Sequence, residues 1–204
     1  MEKILHYINK IRNANNFYSI EELLSVIGKD NTIIDPFSTL INKNVRIGKG
    51  NIFYPNTEIS LDDSSTVIIG DTNTFLSGVK IIANNSSRII IENENLYGTG
   101  GVSVICNINN GEILFGNRGR YEGRINIFGK CKFEDGSQIL GNINVYNCNL
   151  LGGADYTDIN PENRAGLIKG VGNARNLIVA KGMVINGLGE FNQNDIESQL
   201  NYHK

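Results

Sequence analysis

The chain has 204 residues, 40% of them hydrophobic, which leaves room for one domain with a sizeable core. Its net charge of −2 and isoelectric point of about 5.7 provide no broad basic field, so no nucleic-acid partner is expected. No apolar run approaches the ~20 residues of a membrane span, and the start Met-Glu-Lys carries no signal-peptide core, so a cytoplasmic protein with no membrane partner is expected.

Residues 1–33 read as a helical N-terminal cap. Ile4, Leu5, Ile8 and Ile11 share one helical face, and Asn13 to Asn16 break the pattern. Ser19 then opens a second helix, with Glu22 three residues on as a capping box requires. Leu23, Leu24, Val26 and Ile27 form its apolar side, and Gly28 stops it.

From residue 34 the apolar period changes to six. Ile41, Ile47, Phe53 and Ile59 keep it, then Ile69, Phe75 and Ile81, then Ile91 and Tyr97. The longest run is Phe115, Tyr121, Ile127, Phe133, Ile139, Val145 and Leu151. Six is not the helical period and lasts too long for one strand; it predicts an all-β solenoid, a parallel β-helix over residues 34–189. Ile47, Ile69, Ile91, Phe115, Phe133 and Leu151 mark successive coils, at separations of 22, 22, 24, 18 and 18. Three six-residue sides make the shortest coil. The longer ones carry extra residues around Asp62-Asp63-Ser64-Ser65, Asn84-Asn85-Ser86-Ser87 and residues 107–111. Asp62 and Asp63 read as a solvated turn, because no further acidic spacing supports a calcium loop.

Strand alternation turns Val45, Thr57, Val79, Cys106, Cys131, Ser137 and Ile143 inward. Cys106 and Cys131 are thereby small core residues. With Cys148 they make an odd set without CxxC spacing, which points to reduced thiols rather than disulfides or a metal site. Residues 152–169 interrupt the repeat as an inserted loop. The sixes resume at Val171, Leu177, Met183 and Gly189, and residues 190–204 are expected to form a capping tail with a short C-terminal helix.

The stretches Ile47-Gly48, Ile69-Gly70-Asp71-Thr72-Asn73-Thr74-Phe75 and Val171-Gly172-Asn173 resemble the aliphatic-Gly pattern of hexapeptide-repeat acyltransferases, over roughly residues 40 to 189. The resemblance implies a left-handed parallel β-helix with triangular coils, assembled as a homotrimer. It also implies transfer of an acyl (acetyl) group from acetyl-CoA to a sugar or other small polar acceptor.

That family generally uses a solenoid histidine as base, since imidazole titrates near neutral pH. Here the only histidines are His6 and His203, outside the solenoid, and Ser77-Gly78 and Gly100-Gly101 stand where a base is often found. Carboxylates of the inserted loop, Asp155, Asp158 and Glu162, are the substitute candidates, with Tyr156 and Arg164 beside them for substrate. The same residues also serve simply to keep an exposed loop soluble. Lys169, Arg175 and Lys181 follow the loop; the resemblance makes them candidates for CoA phosphates, and ordinary surface charge explains them equally well. Gly170-Val171-Gly172 and Gly187-Leu188-Gly189 read as corner glycines, because they lack a strand–loop–helix context. Two readings stand: an acyltransferase with a non-histidine or substrate-assisted base, or a non-catalytic trimeric scaffold or binding protein. An ice-binding surface is set aside, because the outward positions hold no regular Thr ladder.

Overall fold

The computed structural model describes residues 2–202. Its strands are mostly short and parallel, and they stack on the strands of the next repeat in three columns, an architecture compatible with a parallel β-helix. The inward residues of one column are Ile33, Phe53, Phe75, Tyr97, Tyr121, Ile139, Ile168 and Ile185, paired in strict register. Ile41, Ile59, Ile81, Val104, Ile127, Val145 and Ala174 form the second. Ile47, Ile69, Ile91, Phe115 and Phe133 run up the third. Phe53, Phe75, Tyr97 and Tyr121 stack face to face, with ring centroids 5.0 to 5.2 Å apart. Cys106, Cys131 and Cys148 are free and buried. Burial raises all three thiols, Cys131 to about 12, as expected of core residues.

The register departs from the six-residue spacing near the C-terminal end. Phe133 pairs with Leu150, not Leu151, and Leu151 is 39% exposed. The cause is a shorter corner: Asn147 and Cys148 connect strands where Gly129, Lys130 and Cys131 do so one repeat earlier, and Asn147 takes a left-handed conformation to make the turn. Val171 is likewise turned outward, at 49% exposure, because Ile168 and Ala174 occupy the inward places on either side of it.

Gly170 and Gly172 are not at a corner between strands. They lie inside a continuous strand, Leu167–Arg175. This strand, with Arg120–Phe128, Gln138–Tyr146 and Met183–Glu190, serves two columns at once and bends in the middle. The bend is a register column of Gly123, Gly141, Gly170 and Gly187. The first three have φ of +115, +132 and +126, and a Cβ on Gly141 would overlap the carbonyl of Gly170.

A second column is polar and buried. Asn51, Asn73 and Asn95 are at most 1% exposed. The Oδ1 of Asn51 accepts from the backbone N and Nδ2 of Asn73 at 2.9 and 3.1 Å, and Asn73 accepts from Asn95 in the same way. Asn31 begins the ladder beneath Asn51, and the backbone N–H of Gly119 ends it on Asn95. Each remaining amide hydrogen goes to a backbone carbonyl, for example from Asn73 to Glu92 at 2.9 Å. These residues therefore satisfy the condition for burying a polar group.

At the N-terminus, helix α1 (Glu2–Ala14) is followed by the Ser19–Glu22 capping box, with both reciprocal hydrogen bonds formed. The helix then widens into a π-type turn over Leu23–Ile27, closed by the N–H of Gly28 on Leu23. Leu23 and Ile27 join the core. The α1 face does not: Ile4 is 67% exposed and Ile11 47%. The α1 helix is tied down at its last turn, where Arg12 is buried and donates to the carbonyls of Pro36 and Phe37 at 3.0 and 2.8 Å. The C-terminal segment is not one helix. Two 3-10 turns, Gln193–Asp195 and Gln199–Tyr202, flank Glu197–Ser198, which pairs antiparallel with Met183 and Val184. No helix among the described residues is long and apolar enough to cross a membrane.

Candidate functional site

The inserted loop is stitched to itself by short-range hydrogen bonds. Asp155 accepts from the N–H and hydroxyl of Thr157 at 2.9 and 2.6 Å, Asp158 from Asn160 N, and Asn160 from Glu162 N. Arg164 donates from Nε and Nη2 to the carbonyl of Asp158 at 2.9 and 2.7 Å. Ala154 and Arg164 form a bridge that closes the base of the loop. The strands on either side are undisturbed: Gln138 pairs with Leu167 as if the insertion were absent.

Between the loop and the strand stack lies a cavity of about 330 Å³. The stack contributes the outward-facing register column Arg120, Gln138, Leu167 and Val184, together with Leu140 and Lys169. Tyr156 and Arg164 reach it from the loop, and Gln199 and Tyr202 from the C-terminal tail. Gln199 is buried and locks the tail, donating to Ala165 O at 2.7 Å and Met183 O at 3.1 Å. The Arg120 guanidinium lies 4.7 Å from the centre of the Tyr156 ring and pairs with Glu122 at 2.6 Å. Lys169 Nζ is 5.9 Å from the centre of the Tyr202 ring. The Tyr202 hydroxyl donates to Glu197 at 2.5 Å, and that bond is the main reason its pKa is raised.

Of the residues singled out in sequence, Tyr156, Arg164 and Lys169 come together here. The loop carboxylates do not line the cavity. Asp155 faces Arg118 at 3.7 Å, and its pKa is lowered, first by the Thr157 hydroxyl. Asp158 is spent on the loop's own backbone, and Glu162 is exposed in the turn Pro161–Asn163. Arg175 stands on a different column, beside the Tyr146 ring at 5.6 Å and Glu190 at 3.9 Å, and Lys181 is exposed in the turn before Met183. His6 is exposed on α1; His203 lies outside the described residues.

Sequence reasoning missed Arg120, Gln138, Gln199 and Tyr202. A signal for the first two existed: each precedes an inward marker, Tyr121 or Ile139, and so must face outward just where the loop returns.

A wider depression of about 860 Å³ lies on the other side of the loop, over Ile90 and Leu114. Its cations are already matched, Arg88 with Glu112 at 3.3 Å, Lys132 with Glu134 at 2.6 Å and Arg118 with Asp155. It has the character of a solvated sheet face, and the smaller cavity is the better candidate. Among the described residues, no three His, Cys, Asp or Glu side chains gather as a metal site would require. Compared with known proteins, the chain matches no family model and no curated protein.

Proposed function

We propose that this protein is a small-molecule-binding protein built on a left-handed parallel β-helix with triangular coils, and that the loop-walled cavity is its binding site. One observation carries the reading. The inserted loop leaves the strand register intact while bringing Tyr156 and Arg164 over outward-facing polar residues of that frame. A loop needed only to connect strands would be as short as the corner Glu134-Asp135-Gly136-Ser137 one repeat earlier. Handedness and coil shape follow from the resemblance to hexapeptide-repeat proteins. So does trimeric assembly, supported by an outward apolar column of Ile82, Ile105, Phe128 and Tyr146 that a neighbouring subunit would cover. Residence in the cytoplasm is supported by the three free, buried thiols.

Acyl transfer from acetyl-CoA is the second reading, favoured by the convergence of Tyr156, Arg164 and Lys169 on one cavity. It ranks second because Asp155, held below the ordinary carboxylate range, is a poor base at neutral pH. Calorimetric titration decides between the two. Acetyl-CoA binding that is lost in Lys169→Met, with turnover of an amine or hydroxyl acceptor, would establish transfer; no heat with acetyl-CoA at high protein concentration rejects it. Binding at the cavity itself is tested by fragment titration, with Tyr156→Ala expected to abolish it.

A further inference from the structure

The N-terminal cap has an apolar surface on which nothing of this chain packs. Ile4, Tyr7 and Ile11 recur at helical spacing on α1 and are 67%, 65% and 47% exposed. The helix is held by a different side. Arg12 donates to the carbonyls of Pro36 and Phe37, and Asn9 accepts from Ile20 N at 3.0 Å and donates to Glu21 at 2.6 Å. Leu5 and Ile8, one turn before Asn9 and Arg12, are half-buried. The exposed stripe is therefore a second apolar face, which the fold does not use. Phe37, itself 65% exposed, adjoins the last turn of α1 and adds to the apolar surface at this end.

We propose that this face docks on an anionic lipid surface, with α1 lying in the plane of the interface. At 13 residues α1 is too short to cross a bilayer. A helix that lies on one needs less: an apolar side, a basic flank and an aromatic ring at the boundary between them.

Charge selects this occupant. Lys3 lies four residues before Tyr7 and Lys10 three after it, so both flank the ring on the helix surface. Both are exposed, and neither enters the ion pairs formed among the described residues. Glu2, the one acidic residue of α1, stands two positions from Ile4 and so points away from the stripe. The same sign extends over the N-terminal end. Residues 1–50 hold seven Lys or Arg against five Asp or Glu, a net of +2 in a chain whose total is −2. The remainder is thus −4 and is repelled by an anionic surface, which leaves the cap as the end that faces it. A second copy of the chain fits the stripe less well, because a stable complex covers about 800 Å² per partner, more than three side chains supply.

The test uses the full chain with vesicles of two compositions, phosphatidylcholine alone and an equimolar mixture with phosphatidylglycerol. The protein should cosediment with the mixed vesicles at low ionic strength, leave them as salt is added, and stay in solution with the neutral ones. The chain contains no tryptophan, so Tyr7→Trp installs a single reporter on the stripe, whose emission should shift to the blue on mixed vesicles only. Lys3→Gln combined with Lys10→Gln should weaken binding about 30-fold, and Ile4→Gln combined with Tyr7→Gln should abolish it. All four side chains are exposed, so both double variants should melt with the wild type. No cosedimentation at millimolar lipid and low salt overturns the proposal, and so does equal binding to the neutral vesicles. Binding that both double variants leave unchanged overturns it too, since another surface then makes the contact. A blue-shifted Tyr7→Trp emission without vesicles, with dimers in light scattering, gives the stripe to a second copy instead.

Discussion

A carboxamide in a protein interior is tolerated only when its donors and acceptor are all taken, and the asparagine ladder meets that demand across successive repeats. Asn73 both accepts from Asn95 and donates to Asn51 and Glu92. Asn73→Ala removes its own bonds and takes from Asn95 the acceptor of its backbone N–H and of one amide hydrogen, in a dry site. The expected loss is about 3 kcal/mol of stability, measured by urea denaturation. A loss below about 0.5 kcal/mol would mean that water replaces the ladder at little cost. None of this was legible from composition, where abundant asparagine suggests only frequent turns. The difference between an Asn that makes a corner and one that lies buried in a ladder depends on which residue sits one repeat away.

Acid stability is also decided residue by residue. Asp62 is held at about 2, first by the N–H of Asn85 from the next repeat and then by Ser65 and Ser64. Folding lowers this pKa from an ordinary value of about 3.9. Its stabilising contribution is therefore complete above about pH 4 and is lost as the pH falls through about 2. Glu22, Asp35, Glu134, Asp155 and Glu197 are shifted in the same direction. The melting temperature should fall steadily between pH 5 and pH 2, and Asp62→Asn should flatten that fall. An identical pH profile for the variant would remove Asp62 from the account. The turn containing Asp62 was expected from sequence; its role as acceptor for the adjacent repeat was not, because that contact spans a whole repeat.

Among the elements, the six-residue period was legible because each inward place is apolar and the outward ones are mixed. It located the three strand columns, and the capping-box spacing separately located the Ser19–Glu22 cap. It failed at the long strands, where a column of glycines replaces a corner. Glycine in a sequence reads equally as a turn or a bend, and only the register shows that Gly123, Gly141, Gly170 and Gly187 lie one above another. Gly141→Ala should be severe, since the new methyl would meet the Gly170 carbonyl at a φ of +132. We expect a loss of about 3 kcal/mol or more, read as a drop in melting temperature. Within the N-terminal helical cap, the packing is shared unevenly. Leu23 and Ile27 join the core, whereas Ile4, Tyr7 and Ile11 on the apolar stripe of α1 are exposed. A stripe reports that a face is apolar, not what covers it.

For the whole molecule, frame and site come from different parts of the sequence. The frame is periodic and local; the cavity joins outward residues of four long strands to a loop and a tail that have no period. Sequence inspection reached Tyr156, Arg164 and Lys169 because they stand at the interruption. It could not reach Tyr202 or Gln199, whose place depends on the tail folding back over the stack. The separation of frame from site can be tested directly. Replacing residues 151–166 with the corner Glu-Asp-Gly-Ser of the preceding repeat joins Leu150 to Leu167 by a connection that the fold already uses. The strands should still assemble, since Gln138 and Leu167 keep their register. Melting should drop only modestly, reflecting the lost bond from Gln199 to Ala165. Fragment binding at the cavity should disappear with Tyr156 and Arg164. If the shortened chain fails to fold, the loop is part of the frame. If it folds and still binds, the site lies elsewhere on the stack.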